Sequence, residues 1–164
     1  MAAGVTVKSN LWPVILANLS LAKNSYAAVG FPSEKDKPHP GEMGMTNAKV
    51  ATANEVGSAP GVKPKVPARP FMKQTMDREG AKFQGVMRDL VKMIYAGRMS
   101  TKIALERIGN LGASEVKRSF TVERFAPNTD YTIARKGSSK PLIDTGALRQ
   151  GVTFVVRMKS GVKK

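Results

Sequence analysis

The sequence predicts an α+β fold: a long αα-hairpin packed on a small, mainly antiparallel β-sheet, with long Pro-rich docking loops. Three observations predict it. Met72, Met76, Phe83, Met87, Leu90 and Ile94 recur at helical spacing, so the segment from Pro70 to Gly97 reads as one long amphipathic helix. A second apolar stripe, Ala104, Leu105, Ile108, Leu111 and Gly112, follows directly, as a returning helix would. Strand-like residues lie early and late in the chain and do not alternate with helices as in a doubly wound sheet.

In chain order, residues 10–23 predict a short helix with Leu11, Ile15, Leu19 and Ala22 on one face and Pro13 tolerated in its first turn. Ser25 to Phe31 reads as a strand that must cross to the late strands to be buried. Loops follow at 32–45 and 57–69, each punctuated by proline. Between them, 47–56 predicts a helix capped by Thr46 and stopped by Gly57, with Val50, Ala53, Asn54 and Gly57 sharing a face. Pro70 suits the start of the long helix and Gly97 its end; Ser100 or Thr101 caps the next, which runs to about Phe120. Gly109 and Gly112 weaken that helix and are expected to admit the preceding helix closely. In the last third, Tyr131 to Arg135 and Leu142-Ile143 read as strands around a turn at 136–140, and Val152 to Met158 as a final strand.

One domain, residues 1–164, accounts for the length, with flexible ends expected at 1–9 and 159–164. The absence of cysteine excludes disulfides and thiolate metal sites. No apolar run reaches the roughly 18 residues that span a bilayer. The net charge of +15 is spread along the whole chain. It points to a polyanionic neighbour, most simply nucleic acid met through phosphates, or to solubility alone. No zinc finger, basic zipper or aromatic RNA-binding strand accompanies it.

Leu142-Ile143-Asp144-Thr145-Gly146 resembles the active-site turn of an aspartic protease, where two carboxyls share one proton. Position argues against catalysis: too little chain follows Asp144 to build a flap. The structural reading has Asp144 and Thr145 capping the next backbone amides, Gly146 supplying a special conformation, and Leu142, Ile143 and Leu148 facing the core between two β elements. His39, the one histidine, is expected to be solvated in its Pro-rich loop. Asn54-Glu55 is expected to hydrogen-bond and not to catalyse.

Four strings, in order, carry a resemblance. Tyr26 to Phe31 contains a Val-Gly strand; Ala51, Asn54, Glu55 and Gly57 fall in one helix; Pro67-Ala68-Arg69-Pro70-Phe71 opens another; and Asn128, Thr132, Lys136-Gly137 and Pro141-Leu142-Ile143-Asp144-Thr145-Gly146-Ala147-Leu148 precede the last strand. Over about residues 25 to 158 this resembles the neck and tail-completion (head–tail joining, virion morphogenesis) proteins of tailed bacteriophages. The resemblance implies a structural virion protein without catalysis or cofactor. It would form a closed ring with copies of itself, between a head-side connector ring and the tail terminator or tube. Phage DNA would be touched non-specifically in the channel, with assembly in the host cytoplasm and no membrane involved. In that setting Lys82, Arg88 and Lys92, on the polar side of the long helix, are the residues expected to face DNA. Arg69, Phe71, Lys136 and Lys140, with the loops, are those expected to dock neighbours. A basic, sequence-nonspecific nucleic-acid-binding protein is the alternative, and an aspartic hydrolase a distant third.

Overall fold

The computed structural model describes residues 10–40, 44–62 and 65–159. Residues 1–9 and 160–164, which hold nearly all of both predicted flexible ends, lie outside the described residues. Helix α1 spans Trp12–Asn24, with Pro13 in its first turn. Strand β1, Tyr26–Gly30, follows at once and leads through a short 3-10 turn at Ser33–Lys35. Helix α2 is Asn47–Val56; Thr46 Oγ1 accepts from the Lys49 amide and Gly57, at φ 76°, ends it. The long helices are α3, Phe71–Tyr95, and α4, Thr101–Val122, capped by Ser100, whose hydroxyl accepts from the Ile103 amide. Gly97 takes a left-handed φ of 68° where the chain reverses. Short helices α5, Asp130–Lys136, and α6, Ala147–Gly151, precede the last strand β2, Thr153–Arg157.

The two strands pair antiparallel in one ribbon, from Tyr26 opposite Arg157 to Gly30 opposite Thr153. A two-stranded ribbon is marginal by itself. Helix α4 supplies its support by packing under both strands. Gly109 lies beneath Phe154 and Gly112 beneath Val29, a cross-strand pair. The expected use of these glycines is therefore corrected: they admit the sheet, not the preceding helix.

Two apolar clusters fill the molecule. The first, between sheet, α2 and the lower hairpin, joins Ala51, Phe71, Ala113, Val116, Phe120, Leu142, Leu148 and Val152. The Phe71 and Phe120 rings tilt together with centroids 4.8 Å apart, a favourable aromatic arrangement. The second lies toward the hairpin tip: Leu90, Ile94, Met99 and Ala104, with Leu19 of α1 against them. Thr101 pins α1 there, its amide donating to Asn18 Oδ1 (3.1 Å) and its hydroxyl to Asn18 O (2.6 Å).

Four further expectations are corrected. Tyr131 to Arg135 is helical, because Thr129 caps α5 by accepting from the Thr132 amide and Gly137 closes it in a left-handed conformation. Leu142 and Ile143 form a turn, not a strand; Leu142 sits at φ 61° and drives its side chain into the core. Helix α2 buries Asn47 and Ala51, one position away from the expected face. On α3 the buried side is Phe71, Thr75, Leu90 and Ile94, while Met76 and Met87 of the predicted stripe are exposed.

Candidate functional site

Three of the four sequence strings behind the resemblance converge on one buried guanidinium. Arg69, only 7% exposed, immediately precedes the Pro70 that opens α3. Its Nε donates to Ala126 O (2.9 Å) and its Nη1 to Asn54 Oδ1 (3.1 Å). Its Nη2 donates to Pro127 O (3.1 Å) and Asn128 Oδ1 (3.0 Å). Burial pushes its pKa below the usual guanidinium value, yet arginine remains charged in proteins. Asn128 passes the network on: its amide nitrogen donates to Lys140 O (3.2 Å), which holds the turn that carries Leu142. Beside it, Glu55 accepts from the Met72 and Lys73 amides (3.0 and 2.9 Å), so the end of α2 caps the start of α3. A carboxylate there also meets the positive end of the helix dipole. The expectation that Asn54-Glu55 hydrogen-bonds holds.

Arg69 and Phe71, the latter 1% exposed, are thus spent inside the chain's own core, and their expected docking role is corrected. Lys140 is exposed, and Lys136 is the last residue of α5. The loops expected to dock are tied down in part. The Lys37 carbonyl accepts from the Asn47 amide, and Asp36 Oδ1 accepts from the Ala48 amide. His39 is half-buried, with Nδ1 2.7 Å from Asn47 Oδ1, so its expected solvation is corrected too. The Ser58 hydroxyl accepts from the Val66 amide and closes the second loop.

The Asp-Thr-Gly turn behaves unevenly. Thr145 Oγ1 accepts from the Ala147 amide (3.3 Å) and Gly146 adopts φ 79°. Leu142 and Leu148 are buried as expected. Asp144 is exposed and caps nothing among the described residues, which corrects its assigned role. Replacing it by asparagine should leave stability within about 0.5 kcal/mol in urea unfolding. Gly146→Ala should cost about 1 to 2 kcal/mol, since a β-carbon is disfavoured at that backbone geometry.

Of the three cations expected to face DNA, Lys82 is committed elsewhere. Its ammonium donates to Glu115 Oε1 (2.6 Å) and lies 3.8 Å from Glu79, bridging α3 to α4. Arg78 completes this seam by pairing with Glu79 and Glu123, and Arg118 by approaching Glu79 and Glu115. The hydrogen bond from Lys82 is the largest influence holding the Glu115 carboxyl below its ordinary 4.5, against burial, which raises it. A carboxyl depressed by folding contributes stability above its unfolded pKa and loses it as pH falls through the folded one. The stability gap between the parent chain and Glu115→Gln should therefore be largest near neutrality and shrink as pH drops below 4.5, followed by urea unfolding. Arg88 and Lys92 remain on the exposed side of α3, where Lys92 holds Asp89 at 3.0 Å.

Two open grooves mark the surface. One, of about 970 Å³, runs between α4 and β2 and is rimmed by both charge signs: Glu34, Lys35, Lys102, Glu106 and Arg107. Lys35 already crosses it to donate to Phe154 O (3.1 Å). The other, of about 700 Å³, lies along α3 and is lined by Phe83, Met87, Val91, Tyr95 and Ile108 between Arg88 and Lys92. Beyond the grooves, α1 turns Leu11, Trp12, Val14 and Leu16 outward, and Trp12 is 61% exposed. Among the described residues no cluster of three His, Cys, Asp or Glu side chains could hold a metal, and no helix is long and apolar enough to cross a membrane. Comparison of the chain with protein-family models, with curated proteins and with solved structures found no match.

Proposed function

We propose that this chain is a structural subunit of a tailed-phage virion. Copies form a closed ring at the neck or the top of the tail, joining the head connector to the tail terminator or tube around the DNA channel. The observation that carries the reading is the set of exposed apolar side chains at the start of α1: Trp12 and Leu16 one helical turn apart, with Leu11 and Val14 on another side of the same end. Large apolar side chains gathered exposed at one helix end mark a candidate interaction face. A head-to-tail contact that closes on itself would bury Trp12 and Leu16 in every copy. The convergence of three of the four family-like strings on Arg69 agrees with the resemblance, because it gives them a shared structural task. The charge of +15 suits a ring around packaged DNA.

Sedimentation of the purified chain, with negative-stain imaging of virions carrying a labelled copy, tests this. A discrete closed oligomer that Trp12→Asp reduces to monomers, and label at the head–tail junction, are expected. A chain that stays monomeric at all concentrations and is missing from mature particles overturns it. The same charge favours a second reading, a sequence-nonspecific nucleic-acid-binding protein. Tight, steeply salt-dependent DNA binding by a monomer would select it. Peptide hydrolysis abolished by Asp144→Asn would select a hydrolase.

A further inference from the structure

The αα-hairpin is covered on one side by the sheet and at its tip by α1. The groove along α3 has no sheet residue in its lining. Its apolar wall repeats along the helix as Met87, Val91 and Tyr95, with Phe83 and, from α4, Ile108 completing it. Gln84 to Tyr95 extends over about 16 Å, three helical turns. Two antiparallel helices with an open apolar valley between them present the ridges and grooves that seat a third helix. The polar rim is cationic: Arg88 and Lys92 contribute to it, and no carboxylate does. Lys92 shares its ammonium with Asp89, which leaves Arg88 the stronger attractor.

We propose that this groove docks an amphipathic helix of a partner protein, with apolar residues at i, i+3 or i+4 and i+7 flanked by Asp or Glu. Charge selects a partner over a second copy. Helix α1 carries Lys23 and no acidic residue, so α1 of a copy would bring no carboxylate to Arg88, and the α3 face of a copy would set Arg88 and Lys92 against their own like charges with only the already paired Asp89 to offset them. Helix-in-groove recognition supplies affinity through the apolar anchors, and the rim charges set partner choice. The inference stands on the groove alone and does not require the ring.

The probe is a synthetic helix of about three turns with a leucine stripe and glutamate flanks. It is compared with the same helix carrying lysine flanks and with a scrambled glutamate peptide of identical composition. Binding to the full chain is read by fluorescence anisotropy at low salt. The glutamate helix should bind about tenfold more tightly than either control. Arg88→Glu with Lys92→Glu should reverse the preference between glutamate and lysine helices. Met87→Asp should lose about tenfold in affinity with circular dichroism and thermal midpoint unchanged, since Met87 is exposed. Equal binding of the glutamate helix and its scramble, or no preference between flank charges, overturns the proposal. Self-association that Met87→Asp dissolves also overturns it, by making a second copy the occupant.

Discussion

Replacing Arg69 by alanine should cost the protein about 3 to 5 kcal/mol in urea unfolding, close to the whole stability of a marginal domain. The guanidinium is a single buried group holding four acceptors: Asn54 Oδ1, Ala126 O, Pro127 O and Asn128 Oδ1. Removing it orphans all four, and a buried acceptor without a donor costs about 1 to 3 kcal/mol unless water enters. Lysine is no substitute. It offers one compact ammonium where a planar fork is needed, so Arg69→Lys should recover less than half of the loss. A loss under about 1 kcal/mol for Arg69→Ala would mean that water reaches these carbonyls readily, and that the hub is decoration.

Gly109→Ala is the second large effect expected, with a net loss of about 2 kcal/mol. Alanine improves helix propensity by about 1 kcal/mol, so the steric term must exceed that gain. It does, because the added β-carbon would lie 2.5 Å from Phe154 Cδ2 and 2.9 Å from Cγ. Cγ is close to the strand backbone, and the ring cannot swing aside as a flexible side-chain tip would. Moving it means moving β2 off α4. Truncating Phe154 to alanine in the Gly109→Ala background should relieve the clash, and a double-mutant cycle should give a coupling of about 1 to 2 kcal/mol. Additive single effects would show that the two groups do not meet. Gly112→Ala should be milder, since its nearest neighbour, Val29 Cγ2, stands 3.0 Å away.

Local chemistry made much of this fold legible. Thr46 and Gly57 bound α2 where a cap and a left-handed stop belong, and the hairpin turn follows from Gly97 and Ser100. The strands were legible as β-branched and small residues early and late, and their pairing followed from the need for burial. The error at 131–135 came from weighing β propensity above capping. Thr129 and Gly137 are eight residues apart and supply both ends of a short helix. The stripe on α3 misled for another reason. The helix has two apolar faces, one against the core and one outside, and periodicity alone does not say which is inner.

The candidate site was less readable. Arginine is mostly exposed in proteins, so a surface role for Arg69 was the natural expectation. A pointer lay in the chain, because Arg69 is the one charged residue within the otherwise apolar Val66 to Met72. What the chain could not supply was its meeting with Asn54 and Asn128, which depends on a tertiary path that brings the end of α2, the entry to α3 and the segment before α5 together. Lys82 was misplaced likewise: its partner, Glu115, lies 33 residues away on another helix. The groove along α3 drew on residues already credited to the core, Phe83 and Met87 among them.

The antiparallel ribbon has a consequence for biosynthesis. The Lys159 amide donates to the Ser25 hydroxyl across 134 residues, so the ribbon ties the earliest described strand to the latest. At ribosomal speeds of about 5 to 20 residues per second, β1 emerges roughly 6 to 25 s before its mate. Once α4 itself has been made, its surface destined for Phe154 stays wet until β2 arrives, a sticky handle that chaperones can grip. Closure of the fold then waits on the last described strand, and a chain interrupted before Thr153 would be left open and marked for degradation.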